Sequence, residues 1–233
     1  IYYGHGLNGP GLDILSVGNE VRIVGSVQYY EAGGTWQVSD LNYRMMKPDD
    51  PDNVGCSASQ DGGAIWTRAK EVTIEGCTTI DGSTAGRNGG GVYLEYKQEN
   101  TTATIKDCNI TNGKAAGNGG AVYVNYNNSK AFVEKIEDCN ITGNTAALGS
   151  AVYAVDYAKV TFRQTGTKDS DGNDIGITGN IVTNINGGAI SAGGGNTRLK
   201  FEGIIQVKDN TCSVDEGVKH NVALNLDNNL VIN

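Results

Sequence analysis

The stretch NGGAVYVNY at residues 118–126 recurs along this chain with small changes. The shared core is a pair of small residues, a third small residue, an aliphatic residue and an aromatic one. The related phrases are DGGAIW (61–66), NGGGVYLEY (88–96), GSAVYA (149–154) and NGGAIS (186–191). Their small-residue pairs start at 62, 89, 119, 149 and 187, so the steps are 27, 30, 30 and 38 residues. Self-similarity at a period of roughly 20–50 residues indicates a solenoid or a propeller.

Two further phrases follow the first at a matching step. One is VTIEGC (72–77), ATIKDC (103–108) and EKIEDC (134–139); the other is CNITNGKAA (108–116), CNITGNTAA (139–147), GITGNIVTN (176–184) and IQVKDNT (205–211). Each unit thus holds three short β-rich runs. A propeller blade needs about four strands and ~40 residues, whereas three short strands in ~30 residues match one coil of a parallel β-helix. We predict an all-β chain in which residues 54–233 form a right-handed parallel β-helix of about six coils.

Alternation along the first phrase predicts which side chains face inward. Strand side chains alternate between two faces, so Val122 and Val124 share one face and Tyr123 points to the other. The Val122 column is aliphatic in every unit and is expected inside. The outward column contains the candidate ligand-binding strip, Trp66, Tyr93, Tyr123 and Tyr153. Flat aromatic surfaces suit a glycan or a protein, but a stacked ladder also stabilises neighbouring strands without a ligand. Both interpretations stay open at this point.

The five cysteines do not form a metal or disulfide pattern. Their number is odd, and no CxxC pair is present. Cys77, Cys108 and Cys139 are each 31 residues apart and each ends the second phrase. We therefore predict a ladder of buried, reduced thiols.

Composition excludes two classes of partner. The chain has 233 residues, 34 glycines against 3 prolines, a formal net charge of −8 and a pI near 4.7. The many glycines indicate the turns of a β protein. The excess of acidic residues argues against nucleic-acid binding, which needs clustered Lys and Arg. No run of about 18 apolar residues is present, so we predict no membrane span. The start at Ile1 lacks the features of a signal peptide, which suggests a mature or excised piece of a longer protein.

The repeated phrases resemble those of a known family. GGAI (62–65), GGAV (119–122) and GGAI (187–190), alternating with ITGN (141–144), ITGN (177–180) and VKDN (207–210), are similar to the repeats of chlamydial polymorphic outer-membrane proteins and related bacterial β-helix surface adhesins. The chain lacks the Phe that usually begins the family's FxxN phrase. The resemblance implies a right-handed β-helix at the cell surface or in the secreted fraction.

Residues 1–53 differ from the rest. LDILSVGNEVRIVGSVQYYEAGGTWQVSDLNY contains alternating strands joined at Gly33-Gly34, and it resembles the carboxyl-terminal half of a bacterial OB-fold domain. We predict either a partial OB-like segment or an amino-terminal cap, with KPDDPDN (47–53) as a linker.

Two minority interpretations concern acidic residues. The stretch KDSDGNDIG (168–176) gathers the oxygen donors Asp169, Asp171, Asn173 and Asp174, which leaves calcium open as a ligand, although the stretch lacks the glycine and distal glutamate of an EF-hand loop. No other cofactor is expected. Asp107 and Asp138 fall one repeat apart, as a catalytic carboxylate pair would in a polysaccharide lyase or glycoside hydrolase.

The sequence as a whole favours a noncatalytic module. We expect an adhesin of a bacterial cell-surface or secreted protein, or the stalk that presents one. The expected partner is a host glycan or a host surface or secreted protein, with a mucin or an immunoglobulin as examples. An enzyme acting on polysaccharides is the alternative.

Overall fold

The computed structural model describes most of the chain after residue 55. It describes 56–69, 71–76, 79–96, 102–126, 133–168, 172, 174–224 and 229–232, together with four strands nearer the amino terminus. Every regular element in these ranges is a β-strand. None of the described residues belongs to a helix long and apolar enough to cross a membrane.

The strands after residue 55 form four stacked sheets, here named A to D. Sheet A consists of Ile65–Thr67, Val92–Tyr96, Val122–Tyr126, Val152–Val155, Ile190–Gly193 and Val222–Leu224. Sheet B consists of Glu71–Glu75, Thr102–Lys106, Val133–Glu137, Lys159–Gln164, Arg198–Gly203 and Asn229–Ile232. Neighbouring strands in both sheets are parallel.

Sheets C and D contain shorter strands. Sheet C consists of Ile80–Asp81, Asn109–Thr111, Asn140–Thr142, Gly176–Thr178 and Val207–Lys208. Sheet D consists of Ser57–Ala58, Thr84–Ala85, Lys114–Ala115, Thr145–Ala146, Ile181–Val182 and Thr211–Cys212, and the antiparallel strand Asp215–Lys219 closes one edge. The chain passes through A, B, C and D in turn and then returns to A. An all-β chain with parallel sheets stacked in this order is compatible with a parallel β-helix.

Each repeat contains four strands, not the three predicted. The third sequence phrase is split between sheets C and D by one residue in the left-handed backbone region. These corner residues are Gly82, Asn112, Gly143, Gly179 and Asp209, with φ between 54° and 69°. Glycine adopts this conformation without steric cost, and Asn and Asp tolerate it best among other residues. The prediction of three strands was therefore wrong, because a single such residue turns the chain without a recognisable loop.

The core lies between the sheets and consists of the predicted aliphatic column and its neighbours. Val92, Val122, Val152 and Ile190 are in register in sheet A and are fully buried. They pack in one cluster with residues of sheets B and C such as Ile105 and Ile110. The prediction that the Val122 column faces inward is confirmed.

The two glycines of the NGGAVYVNY phrase are needed for different structural reasons. Gly119 has a φ of 70° and begins the strand of sheet A from a left-handed turn. Gly120 lies directly beneath the next repeat, where an added Cβ would collide with the carbonyl oxygen of Ser150. In this repeat the first position requires a backbone conformation and the second requires space, and glycine meets both without strain.

A ladder of asparagines fills the corner between sheets C and D. Asn144, Asn180 and Asn210 are fully buried. The Asn144 and Asn180 amides each donate to the side-chain oxygen of the next asparagine at 2.9 Å, and the Asn180 and Asn210 amides also bond to the carbonyls of Ile141 and Ile177. These hydrogen bonds satisfy polar groups that would otherwise be costly to bury. Each of these three asparagines thus has a structural role at the end of its ITGN or VKDN phrase.

The segment before residue 55 contains two antiparallel strand pairs. Val27–Tyr30 pairs with Thr35–Val38, and Arg22–Val24 pairs with Arg44–Met46. The first pair agrees with the strands expected on either side of Gly33-Gly34, although those two glycines lie outside the described residues. The relation to an OB-fold stays a prediction.

Candidate functional site

The predicted aromatic residues form one column on sheet A, in which the three tyrosine rings are stacked. Trp66, Tyr93, Tyr123 and Tyr153 occupy the same register position in four successive strands. The rings of Tyr93 and Tyr123 are 5.0 Å apart and within 2° of parallel, and those of Tyr123 and Tyr153 are 5.4 Å apart at 24°. The repeat spacing of a parallel sheet, about 4.8 Å, sets this separation. Sequence alternation therefore identified residues that do lie together.

The stack is less open than the sequence suggested. Tyr93 is 5% exposed and Tyr153 is 9% exposed, whereas Trp66 at the end of the column is 42% exposed. The ring of Tyr123 lies between those of Tyr93 and Tyr153, so a ligand has little access to the ring faces inside the stack. Burial raises the pKa of Tyr93, Tyr123 and Tyr153 above the ordinary value, so their hydroxyls stay protonated. The flat open strip expected from the sequence is thus reduced to the exposed Trp66 and the half-buried Tyr123.

Two of the tyrosine hydroxyls are in contact with other residues of the fold. Asn125 donates a hydrogen bond to the Tyr93 hydroxyl oxygen at 3.1 Å. The Tyr153 hydroxyl lies against Gly193, where any side chain would collide with it. These contacts fix the rings from one repeat to the next and support the ladder function of the stack.

Trp66 has the chemistry of a recognition site. The Arg68 guanidinium lies 4.7 Å from the centre of the Trp66 ring, a cation–π contact. Arg68 is also held by Glu95, with 2.7 Å between Nε and a carboxylate oxygen. An exposed indole beside an oriented charged pair can stack on a sugar ring and hydrogen-bond its hydroxyls. Ligand binding by the aromatic residues nevertheless stays a prediction.

The proposed calcium loop lies largely outside the described residues. Asp169, Asp171 and Asn173 lie outside the described residues, whereas Asp174 is described. Its carboxylate forms an ion pair with Lys168 at 2.8 Å, and the hydrogen bond from Lys168 lowers the pKa of Asp174. Within the described ranges no group of three His, Cys, Asp or Glu residues could hold a metal ion. Calcium binding here stays a prediction.

The two aspartates considered as a catalytic pair lie in turns after strands of sheet B. Asp107 and Asp138 have φ values of 51° and 49°. The Asp138 carboxylate accepts hydrogen bonds from the Thr165 amide at 2.6 Å and the Thr165 hydroxyl at 2.9 Å, and Lys106 lies 3.3 Å from Asp107. Both carboxylates therefore have partners nearby, and the left-handed backbone conformation that the two residues share, which Asp tolerates better than most residues, accounts for their recurrence in the sequence.

The cysteine ladder has the predicted environment where it is described. Cys108 and Cys139 are 2% and 4% exposed, both are free thiols, and each bonds to backbone carbonyls. A hydrogen bond with Cys108, together with burial, raises the pKa of Cys139 well above its ordinary value. Cys77 lies outside the described residues.

The outer face of sheet B contains a charge pattern that the sequence analysis missed. One column reads Glu75, Lys106, Glu137, Arg163 and Glu202 across five adjacent strands, so the sign changes at every step. Glu75 and Lys106 are 3.1 Å apart, and Glu137 and Arg163 are 3.9 Å apart. The alternation favours the observed register, because it places opposite charges directly across neighbouring strands. An alignment of the second phrase of each unit would have revealed this alternation of charge.

A buried carboxylic acid was also not foreseen. Glu134 on sheet B lies in register between Ala103 and Val160 and is 1% exposed. Neither carboxylate oxygen has a hydrogen-bond partner among the residues described. Burial alone raises the pKa of Glu134 well above its ordinary value. The acid is therefore expected to be neutral inside the protein at pH values where surface glutamates are ionised.

Comparison of the chain with protein-family models, with curated proteins and with solved structures found no match in any of the three. The class defined by the geometry is that of all-β chains with stacked parallel sheets, compatible with a parallel β-helix.

Proposed function

We propose that the chain is a noncatalytic module of a bacterial cell-surface or secreted protein, acting as an adhesin or as the stalk that presents one. In this proposal residues 54–233 form a right-handed parallel β-helix of about six coils, preceded by a partial OB-like segment. The proposal is supported by the pairing of six successive strands in each of sheets A and B. It also rests on the resemblance of the GGA phrases to surface adhesins.

The observation that supports a binding role is the exposure of Trp66 at the end of the aromatic column. The tyrosines behind it fix its strand, so little conformational entropy is lost when a ligand contacts the indole. Arg68 and Glu95 supply charged hydrogen-bonding groups beside the ring. The proposed partner is a host glycan or a host surface or secreted protein, and mucin and immunoglobulin are the first candidates to test.

The experiment is a binding screen with a matched pair of variants. The wild-type chain is applied to a glycan array and to immobilised mucin and immunoglobulin. Trp66→Ala should weaken binding to any ligand found by about 2 kcal/mol, or roughly thirtyfold, because aromatic residues dominate such contacts. Tyr157→Ala is the control, since Tyr157 is 39% exposed in a turn after another strand of sheet A.

The two variants separate the possible results. Weaker binding of Trp66→Ala, with Tyr157→Ala unchanged and both melting like wild type, supports an adhesin that uses this end of the aromatic stack. Equal binding by both variants contradicts the role of Trp66. If no glycan, mucin or immunoglobulin binds, the adhesin role fails for these ligand classes. Cleavage of a polysaccharide by the purified chain contradicts the noncatalytic role.

A further inference from the structure

Positive charge is concentrated on the outer face of sheet B in three adjacent strands. These strands are Val133–Glu137, Lys159–Gln164 and Arg198–Gly203. The basic residues facing outward are Lys135, Lys159, Arg163, Arg198 and Lys200, and the acidic ones are Glu137 and Glu202. Five positive and two negative charges leave this face at +3, in a chain whose net charge is −8. We call this surface the basic face.

Ion pairing among the described residues does not account for three of these five cations. Lys159 and Arg198 are directly in register on adjacent strands, and like charges placed opposite one another destabilise a sheet. Neither they nor Lys135 form an ion pair with another residue that the structure describes. The alternating column near the carboxyl ends of the strands of this sheet is different, because each of its first four residues has an opposite charge on the next strand. Unpaired like charges in register therefore point to an anion supplied from outside.

The two acids of the basic face each form an ion pair with a cation of the same face. Glu137 pairs with Arg163 at 3.9 Å, and Glu202 pairs with Lys200 at 2.5 Å. The pKa of Glu202 is lowered, first by the hydrogen bond from Lys200 and further by the charges of Arg163 and Lys135. One carboxylate thus feels three cations that come from three different strands. The cations consequently act on a common volume of solvent above the sheet.

The geometry suits an extended polymer. Lys159 and Arg198 lie in register on adjacent strands, about 4.8 Å apart, and this spacing is close to the length of one sugar residue in an extended chain. Thr161 lies in register between Lys135 and Lys200 and adds a hydroxyl for hydrogen bonding. The outward positions of these three strands hold no aromatic ring, whereas proteins that bind single-stranded nucleic acid use rings on which bases stack.

We propose that the basic face binds an anionic polysaccharide, through carboxylate or sulfate groups placed over Lys159, Arg198 and their neighbours. The surface belongs to a different sheet from Trp66, so it goes beyond the function proposed above. It gives the module a second ligand whose binding depends on charge. Screening by salt weakens such binding, because exposed charges interact over a distance set by ionic strength.

The test uses two defined polymers and a charge-matched pair of double variants. Polygalacturonate supplies carboxylates and heparin supplies sulfates, with dextran as the neutral polymer. The variant Lys159→Gln/Arg198→Gln removes two cations from the basic face. The control Lys114→Gln/Lys208→Gln removes two exposed cations from sheets D and C. Affinity is measured by biolayer interferometry at low and at physiological salt, and melting is followed by circular dichroism.

Wild type should bind polygalacturonate or heparin but not dextran, and the response to the two polymers identifies the anionic group. Lys159→Gln/Arg198→Gln should weaken binding about tenfold, a loss of about 1.4 kcal/mol, and should melt at or above the wild-type temperature because two like charges are removed. The control variant should bind within about twofold of wild type.

Three outcomes overturn the proposal. The first is equal weakening by both double variants, since that indicates only an effect of net charge. The second is failure of wild type to bind either polyanion at low salt. The third is tighter binding to a single-stranded oligo-deoxythymidine than to either polysaccharide, which would replace the glycan by nucleic acid.

Discussion

Glu134 provides the sharpest test of the core, because its carboxyl group is buried without a partner. The side chain is 1% exposed and lies in a column otherwise formed by Ala103, Val160 and Leu199. No charged neighbour contributes to the raised pKa, whose cause is burial. Replacing the acid by Gln keeps the shape of the side chain and removes the ability to ionise. The difference between wild type and Glu134→Gln therefore isolates the titration of this one group.

The sign of the pH effect follows from the raised pKa. Below the unfolded-state pKa of about 4.3, the group is protonated in both states and carries no penalty. As pH rises above that value, the unfolded chain loses its proton while the folded protein keeps it, so the free energy of unfolding falls by up to about 1.4 kcal/mol per pH unit. The fall ends once pH exceeds the folded-state pKa. As pH rises above the unfolded-state pKa, wild type should therefore lose stability relative to Glu134→Gln.

The assay is urea unfolding followed by circular dichroism from pH 4.5 to pH 7.5. Glu71→Gln is the matched control because Glu71 is an exposed acid of the same sheet. Glu134→Leu should be more stable than wild type at pH 7 by about 1–3 kcal/mol, since a buried polar group without a partner is replaced by a hydrocarbon. A constant difference between wild type and Glu134→Gln across this pH range would refute the reasoning, as would the same slope in Glu71→Gln.

Three further predictions concern the stacked columns. Val122→Asp places a charge in a fully buried position of sheet A and should cost about 3 kcal/mol or more, so unfolding at the wild-type urea concentration would contradict the assigned parity. Cys108 and Cys139 should react with a thiol reagent only as fast as the protein opens, because both are buried and the pKa of Cys139 is raised; rapid labelling or a disulfide between them in the folded protein would contradict the ladder. Asn180→Ala removes the side-chain bonds to Asn144, to Asn210 and to the Ile141 carbonyl, and should cost about 2–4 kcal/mol in chemical unfolding; a loss under about 0.5 kcal/mol would show that water replaces the ladder.

The repeated phrases were sufficient to predict strand type, register and the inward column. A strand has a side-chain period of two, and a repeat of about 30 residues places equivalent residues one above the other, so Val122 had to align with Val92 and Val152. The pairing found in sheet A follows this rule residue by residue. The same rule placed Tyr93, Tyr123 and Tyr153 in one stack. These features follow from local sequence because each repeat contacts mainly its neighbours.

Burial and charge at the candidate sites required the folded structure. The exposure of Tyr123 depends on the rings above and below it, and the partners of Asp138 come from a turn that begins 27 residues later. The sequence marked Glu134 as one acid among many, yet the register places it in an aliphatic column. The sequence by itself determined the strands, their parallel stacking and the residues of the aromatic column, because those depend on periodicity. Only the tertiary structure decided which ring is accessible, which acid is neutral and where unpaired cations gather, because solvent exposure and electrostatic energy depend on neighbours contributed by other repeats.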